Sequence, residues 1–372
     1  MTKHIKFFSN SENLKFKNKF LDNFSKILQN GIYLNGDFLK KFERDFSKKM
    51  QTNYCLGVSS GTDALIIAIK SLNLSKGDEI IVPSHTATAS ISAIVSSGAV
   101  PVFADIGFDF NIDPKSVLRL ISKKTRAIIV VHLYGLMADI QKLIKISKKY
   151  NLYLIEDCAQ SCGSSFNSKF AGSFGIISCF SFYPSKNLST IGDSGAILTN
   201  NNKLFKKCKQ IREYGWNQFR ESTLDGINSR MTELNASVLL LKLKNLEKNN
   251  LKRNKIALRY KIKLNNKFVK FIEYKKDFFN SFHLFVIRVK KRNKLFRYLK
   301  THKIEALIHY KKPNHAHKSF KKYKSDNLVN TKKLVKEIIS LPMYPDLKIK
   351  DQLDIIRIIN NFFKNEDNRK KT

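Results

Sequence analysis

Between Cys55 and about Asn200 the chain alternates short runs of β-branched and other apolar residues with longer stretches whose apolar positions recur at helical spacing. The short runs predict strands over residues 79–83, 100–105, 127–133, 153–157, 177–181 and 195–199. Residues 63–72, 90–97 and 140–150, with one apolar face each, predict the helices between them. Strand and helix in alternation predict an α/β domain built on a large parallel or mixed sheet with helices on both faces.

Past a polar, turn-rich stretch over 216–226, residues 232–264 read as one long helical segment, with Leu234, Val238, Leu241 and Leu246 near one face. The remainder predicts a strand over 282–289, a helix over 293–302, a strand over 304–309 and a terminal helix within 351–363. This divides the chain into a large α/β domain (1–240), a small C-terminal α+β domain (241–363) reached by the long helix, and a Lys/Asn-rich tail (364–372) expected to be disordered.

With 372 residues, 42% of them hydrophobic, the chain can bury a large core. It holds no uninterrupted apolar run of the roughly 18 to 20 residues that a membrane span needs, and residues 1–20 form no apolar signal block, so no membrane partner and a cytoplasmic location are expected. Cys55, Cys158, Cys162, Cys179 and Cys208 include no CxxC pair, which argues against a disulfide framework or a metal site and for buried free thiols. The formal charge of +38 would ordinarily suggest a nucleic-acid partner. Residues 1–240 carry +12 of it and residues 241–372 carry +26, interleaved with Asn, Ile and Phe, a distribution that reads as compositional. No specific nucleic acid is therefore expected.

The chemistry concentrates at strand ends. In Ser-Cys-Phe-Ser-Phe-Tyr-Pro-Ser-Lys-Asn-Leu (178–188), Lys186 lies just beyond an apolar strand, where open α/β sheets bind ligands and partial desolvation frees a lysine amine. In Leu-Ile-Glu-Asp-Cys-Ala-Gln (154–160), another apolar strand ends in the Asp157 carboxylate, which reads either as a helix cap or as the partner that a pyridoxal-phosphate ring nitrogen requires. Gly-Val-Ser-Ser-Gly-Thr-Asp (57–63) precedes a helical pattern and reads either as a capped helix start or as a phosphate cradle of backbone N–H groups and hydroxyls.

These segments, together with Val-Pro-Ser-His-Thr-Ala-Thr, Val-His-Leu-Tyr-Gly, Gly-Asp-Ser-Gly-Ala, Arg-Glu-Tyr-Gly-Trp (212–216) and Gly-Ile-Asn-Ser-Arg-Met-Thr-Glu-Leu (226–234), follow in an order that resembles the DegT/DnrJ/StrS family of sugar aminotransferases. The resemblance runs from about Gly31 into the C-terminal domain. It implies a fold type I enzyme dependent on pyridoxal 5'-phosphate, acting as a homodimer with shared active sites. Carried over by position, Lys186 would hold the cofactor as a Schiff base, Asp157 would pair with its ring nitrogen and Gln160 would reach its ring hydroxyl. Gly61, Thr62 and Ser181 would hold its phosphate, with Asn228 from the neighbouring subunit, and Arg230 would face the substrate.

One position departs from the family: Ala87 stands where many members carry an aromatic residue that stacks on the cofactor ring. His85, two residues earlier, either supplies that ring or is a loop histidine bonded to backbone. The resemblance further implies L-glutamate as amino donor and a nucleotide-linked keto sugar as acceptor. In the C-terminal domain, 282–288, 304–310 and Pro313-x-His315 resemble the branch acting on dTDP-3-keto-6-deoxyhexoses, which favours C3 amination over C4 amination of a UDP- or GDP-4-keto sugar. His309 and Tyr310 there read equally as substrate contacts or as strand-end packing. A dehydratase of the same fold, with histidine in place of the lysine, is disfavoured by Lys186. The other class considered, a non-catalytic basic protein binding nucleic acid, rests on charge alone.

Overall fold

The computed structural model describes residues 4–9, 11–274 and 277–368. Seven strands, β1 (Tyr54–Val58), β2 (Glu79–Pro83), β3 (Val100–Ala104), β4 (Thr125–Val131), β5 (Tyr153–Asp157), β6 (Ile177–Ser181) and β7 (Gly195–Thr199), form one sheet in the order β1-β7-β6-β5-β4-β2-β3. Strands β2 to β6 run parallel, and β7 is antiparallel to both of its neighbours. The six strands read from the sequence are all present with ends moved by two residues or fewer, and β1 joins them at the edge beside β7.

Because successive strand residues point to opposite faces, β4 feeds two cores. Ala127, Ile129 and Val131 pack with Ile80 and Val82 against helices Gly61–Ser71 and Thr88–Ser96. Ile128 and Val130 pack with Ile81 and Val102 against helices Asp37–Lys49 and Ile140–Lys149. Helices thus cover both faces, as the alternating pattern predicts. Helices Lys17–Asn30 and Asp37–Lys49 lie in a region where the reading placed no element. Their apolar spacing, such as Leu39, Phe42 and Phe46, is diluted by lysines and asparagines.

A third core joins Ile256, Ala257 and Tyr260 to Ile287, Ile339, Ile355 and Ile359. It packs around an antiparallel sheet of β8 (Lys270–Phe271), β9 (Phe285–Arg288) and β10 (Ile338–Leu341), ordered β8-β9-β10. Three expectations need correcting here. The long segment over 232–264 is two helices, Glu233–Leu243 and Leu246–Lys263, parted at Lys244 and Asn245. The break lets Leu239, Leu243 and Leu246 serve the sheet core while Ile256 and Tyr260 serve the third core. The strand over 282–289 shortens to β9, because Phe282 takes a left-handed φ of 43°. Residues 304–309 form no strand: Ile304 bridges Ile5 and Leu307 bridges Ser340, one residue each. Of the tail, residues 364–368 continue the terminal helix Ile349–Asn368, and 369–372 lie outside the described residues. All five cysteines are buried free thiols, and among the described residues no helix is long and apolar enough to cross a membrane.

Beneath the strand ends lies a fully buried pair, Glu156 on β5 and His132 after β4. His132 Nδ1 accepts from the Ala138 N–H at 3.1 Å, so Nε2 carries the proton that meets Glu156 Oε2 at 2.9 Å. The carboxylate also accepts the N–H groups of Gly172, Phe174 and Gly175 at 2.9, 2.8 and 2.6 Å. These bonds outweigh burial and hold its pKa below the ordinary value. Glu156→Ala strands three buried donors and a histidine, and is expected to cost about 3–5 kcal/mol of stability in equilibrium denaturation. A loss below about 1 kcal/mol would contradict that account.

Candidate active site

The parallel strands deliver their chemistry to one edge of the sheet. Strand β5 ends in Asp157, fully buried, whose Oδ2 accepts from Ser90 Oγ at 2.7 Å and whose Oδ1 accepts from the Ala159 N–H at 3.1 Å. Burial raises its pKa, against the pull of those bonds and of the Lys186 charge. Lys186 follows β6 on a loop closed by its own N–H bonding the Tyr183 carbonyl at 2.8 Å. Burial lowers the Lys186 amine to about pKa 8, with the Asp157 charge acting the other way. Near neutral pH about a tenth of it is then the free base, where an ordinary lysine offers less than about one part in a thousand. The loop is pinned by the next residue: Asn187 donates to Asn250 Oδ1 and the Ser281 carbonyl, both at 2.8 Å, and meets His283 Nδ1 at 3.2 Å.

The helix Gly61–Ser71 starts against the end of β6. Ser60 caps it, accepting from the Asp63 N–H at 3.0 Å. A Cβ on Gly61 would lie 2.6 Å from the Ser181 Cβ, and one on Gly195 would lie 2.5 Å from the Ser60 carbonyl oxygen. Only glycine at both positions lets the helix start close on β6 and β7. The result sets Gly61, Thr62 and Ser181 around a helix N-terminus, the geometry that receives a phosphate. Asp63 takes no part in it, since its carboxylate accepts from Ser59 Oγ and, at 2.9 Å, from Ser229 Oγ.

A second layer comes from the loops after β2 and β4 and from the C-terminal part of the chain. Gln160 accepts from the Tyr134 N–H and donates to Tyr310 Oη, both at 2.9 Å. Burial and the Asp157 charge push the Tyr310 hydroxyl up to about 12. His309 Nδ1 meets Ser340 Oγ at 3.0 Å, and burial with the nearby Lys186 charge lowers the ring to about 4. His85 is fully buried and bonded through Nε2 to Tyr134 Oη at 2.6 Å, with the His309 backbone as a further hydrogen-bond partner. Its ring lies tilted or edge-on to Phe110, Tyr134 and Tyr310 at 5.8 to 6.1 Å, while Ala87 heads the helix Thr88–Ser96. Among the described residues, Asn228 and Arg230 make no hydrogen bond to this cluster, although Ser229 between them bonds Asp63 at the helix start. Arg230 Nε donates to Asn228 Oδ1 at 3.1 Å, its guanidinium lies over Tyr214, and Asn228 is exposed. A cavity of about 160 Å³ opens beside the Lys186 loop, whereas a wider cleft of about 1020 Å³ at Phe108, Lys261 and Arg288 includes none of these residues.

Residues 15–360 match the model of the DegT/DnrJ/EryC1/StrS aminotransferase family. The chain belongs to this family. It is 37% identical to the dTDP-3-amino-3,6-dideoxy-alpha-D-galactopyranose transaminase of Aneurinibacillus thermoaerophilus, over 94% of this chain and 97% of the relative. It is 32% identical to the 3-oxo-glucose-6-phosphate:glutamate aminotransferase of Bacillus subtilis, over 93% of this chain and 80% of the relative. Among solved structures, NtdA of Bacillus subtilis with bound cofactor PMP superposes with a TM-score of 0.88 at 31% identity, covering 96% of this chain and 83% of that one. The protein is a sugar aminotransferase of the fold type I class, and its cofactor is pyridoxal phosphate.

The residues present fit that cofactor. A buried carboxylate, an amine with depressed pKa and a glycine-lined helix start are the three parts it needs, and the strand ends bring Asp157, Lys186 and Gly61 to one edge. Sequence reasoning passed over Ser90, which holds Asp157, and His283, which holds the lysine loop through Asn187. Neither has a local signal, because each matters through a partner at least 67 residues away.

Proposed function

We propose that this aminotransferase moves an amino group from L-glutamate to C3 of a dTDP-linked 3-keto-6-deoxyhexose, as a homodimer whose two sites are each completed by Asn228 and Arg230 of the neighbouring subunit. The observation that carries the chemistry is the convergence of Lys186 and Asp157 at the ends of β6 and β5, with the lysine amine near pKa 8. The C3 position and the nucleotide are supported by the name of the Aneurinibacillus relative, and the donor by that of the Bacillus subtilis relative.

When bound, pyridoxal phosphate supplies the carbonyl carbon that exchanges amino groups and a ring that takes up the electron pair left when a proton departs. Lys186 Nζ would hold the cofactor and, as a free base, would take the donor's α-proton and return it from the same nitrogen. Its lowered pKa suits both duties near neutral pH. Asp157, its two oxygens held by Ser90 Oγ and the Ala159 N–H, would pair with the ring nitrogen. His309 and Tyr310 would face the acceptor.

The reading is tested by incubating the protein with pyridoxal phosphate, L-glutamate and a panel of dTDP-, UDP- and GDP-linked 3-keto and 4-keto sugars, then locating the new amine by NMR. An amine at C3 of a dTDP sugar is expected, and an amine only at C4, or none, would overturn it. The dimer supplies a second test. Asn228 is exposed on this chain, as are the apolar Ile32, Tyr33, Tyr183 and Ile191. Mixing inactive Lys186→Ala and Asn228→Ala proteins is expected to restore activity in heterodimers holding one intact site; absence of complementation would reject a shared site.

A further inference from the structure

Tyr134 belongs to the Val-His-Leu-Tyr-Gly segment and takes no role in the chemistry above. It follows β4 in a left-handed conformation, φ 61°, which a bulky side chain adopts only when its surroundings impose it. The side chain is 1% exposed. Its N–H is held by Gln160 Oε1, and its hydroxyl sits between His85 Nε2 and the His309 carbonyl. The same Gln160 amide donates to Tyr310. Four candidate site residues from three separate stretches, His85, Gln160, His309 and Tyr310, are therefore tied directly or through one bond to Tyr134.

Proton accounting makes the arrangement directional. A carbonyl cannot donate, so the single Tyr134 hydroxyl proton goes to His309 O. Burial keeps that proton in place by raising the hydroxyl pKa well above its ordinary value. The oxygen can then only accept from His85, which must carry its proton on Nε2. Burial lowers the His85 pKa to about 3, so the ring is neutral and Nδ1 is a bare lone pair. That atom is buried and has no hydrogen-bond partner among the described residues. A buried orphan acceptor is costly unless a bound molecule or water meets it.

We propose that Tyr134 is a positioning residue: its hydroxyl fixes His85 as the Nε2–H tautomer, leaving Nδ1 to accept from a hydroxyl or amine donor of the bound reactants, and ties the loop of His309 and Tyr310 to that wall. The role rests on the amino transfer proposed above, but the tautomer does not. Long-range proton–nitrogen NMR of the cofactor-free protein labelled at histidine nitrogen is expected to show His85 as a neutral Nε2–H ring, assigned by its loss in His85→Asn. Tyr134→Phe removes one oxygen and keeps the ring packing. It is expected to abolish that fixed tautomer and to lower kcat by roughly ten- to a hundredfold, with KM for glutamate changed less than about threefold. An Nδ1–H or charged His85 in the unaltered protein overturns the proposal without any variant, as does Tyr134→Phe with full kcat and only a lowered melting temperature. If the unaltered protein transfers no amino group, the functional reading fails while the tautomer measurement still decides the role of Tyr134.

Discussion

Lys186→Ala is expected to reduce amino transfer by roughly 10³-fold or more, because in the proposed role one nitrogen would serve as the cofactor's attachment point, as the base and as the acid. The loss should be confined to chemistry. Lys186 Nζ has no hydrogen-bond or ion-pair partner among the described residues, and the fold of its loop depends on its backbone N–H and on Asn187. Thermal unfolding of the cofactor-free variant should therefore stay close to that of the unaltered protein, and removing a half-buried cation should not destabilise it. Single-turnover measurements with glutamate separate the step from product release. A variant that keeps more than about a tenth of the rate would show that another base acts.

Asp157→Asn is expected to cost roughly 10²–10³-fold in kcat, the scale of removing one preorganised charge from a desolvated site. The substitution preserves shape. The amide oxygen can still accept from Ala159, and the amide nitrogen can turn to Ser90 Oγ, so the two bonds that now hold the carboxylate survive in altered form. What disappears is the negative charge. Its loss also removes the one attraction that opposes burial at Lys186, so the amine should titrate below about 8 in the variant. Rates measured against pH check both effects together. Full activity, or a lysine that titrates higher, would remove Asp157 from the site.

Much of this site was legible because the sheet writes its ends into the sequence. A strand buried on both faces is an apolar run, and where it stops, as at Asp157 or just before Lys186, the next polar residue falls at the edge where ligands bind. Gly61 was legible from the Ser-Gly-Thr-Asp segment ahead of a helical pattern, whereas the close packing that requires glycine at Gly195 shows only in the fold. Ser90, His283 and Tyr134 were not legible as functional. Their importance lies in bonds to Asp157, Asn187 and His309, and no periodicity encodes a partner that folding alone brings near. The same limit explains the single helix expected over 232–264. Its apolar spacing runs on almost unbroken, and only the existence of two separate cores forces the turn at Asn245. The strand expected over 304–309 fails because single bridges to Ile5 and Ser340 replace a ladder.

In the proposed mechanism, Lys186 Nζ would be the atom that holds the cofactor. Reduction of the protein with borohydride in the presence of pyridoxal phosphate, followed by digestion and mass spectrometry, is expected to find one pyridoxyl-phosphate group per chain, on the peptide bearing Lys186. In a chain so rich in lysine, label spread over surface lysines, or absent from the Lys186 peptide, would contradict it.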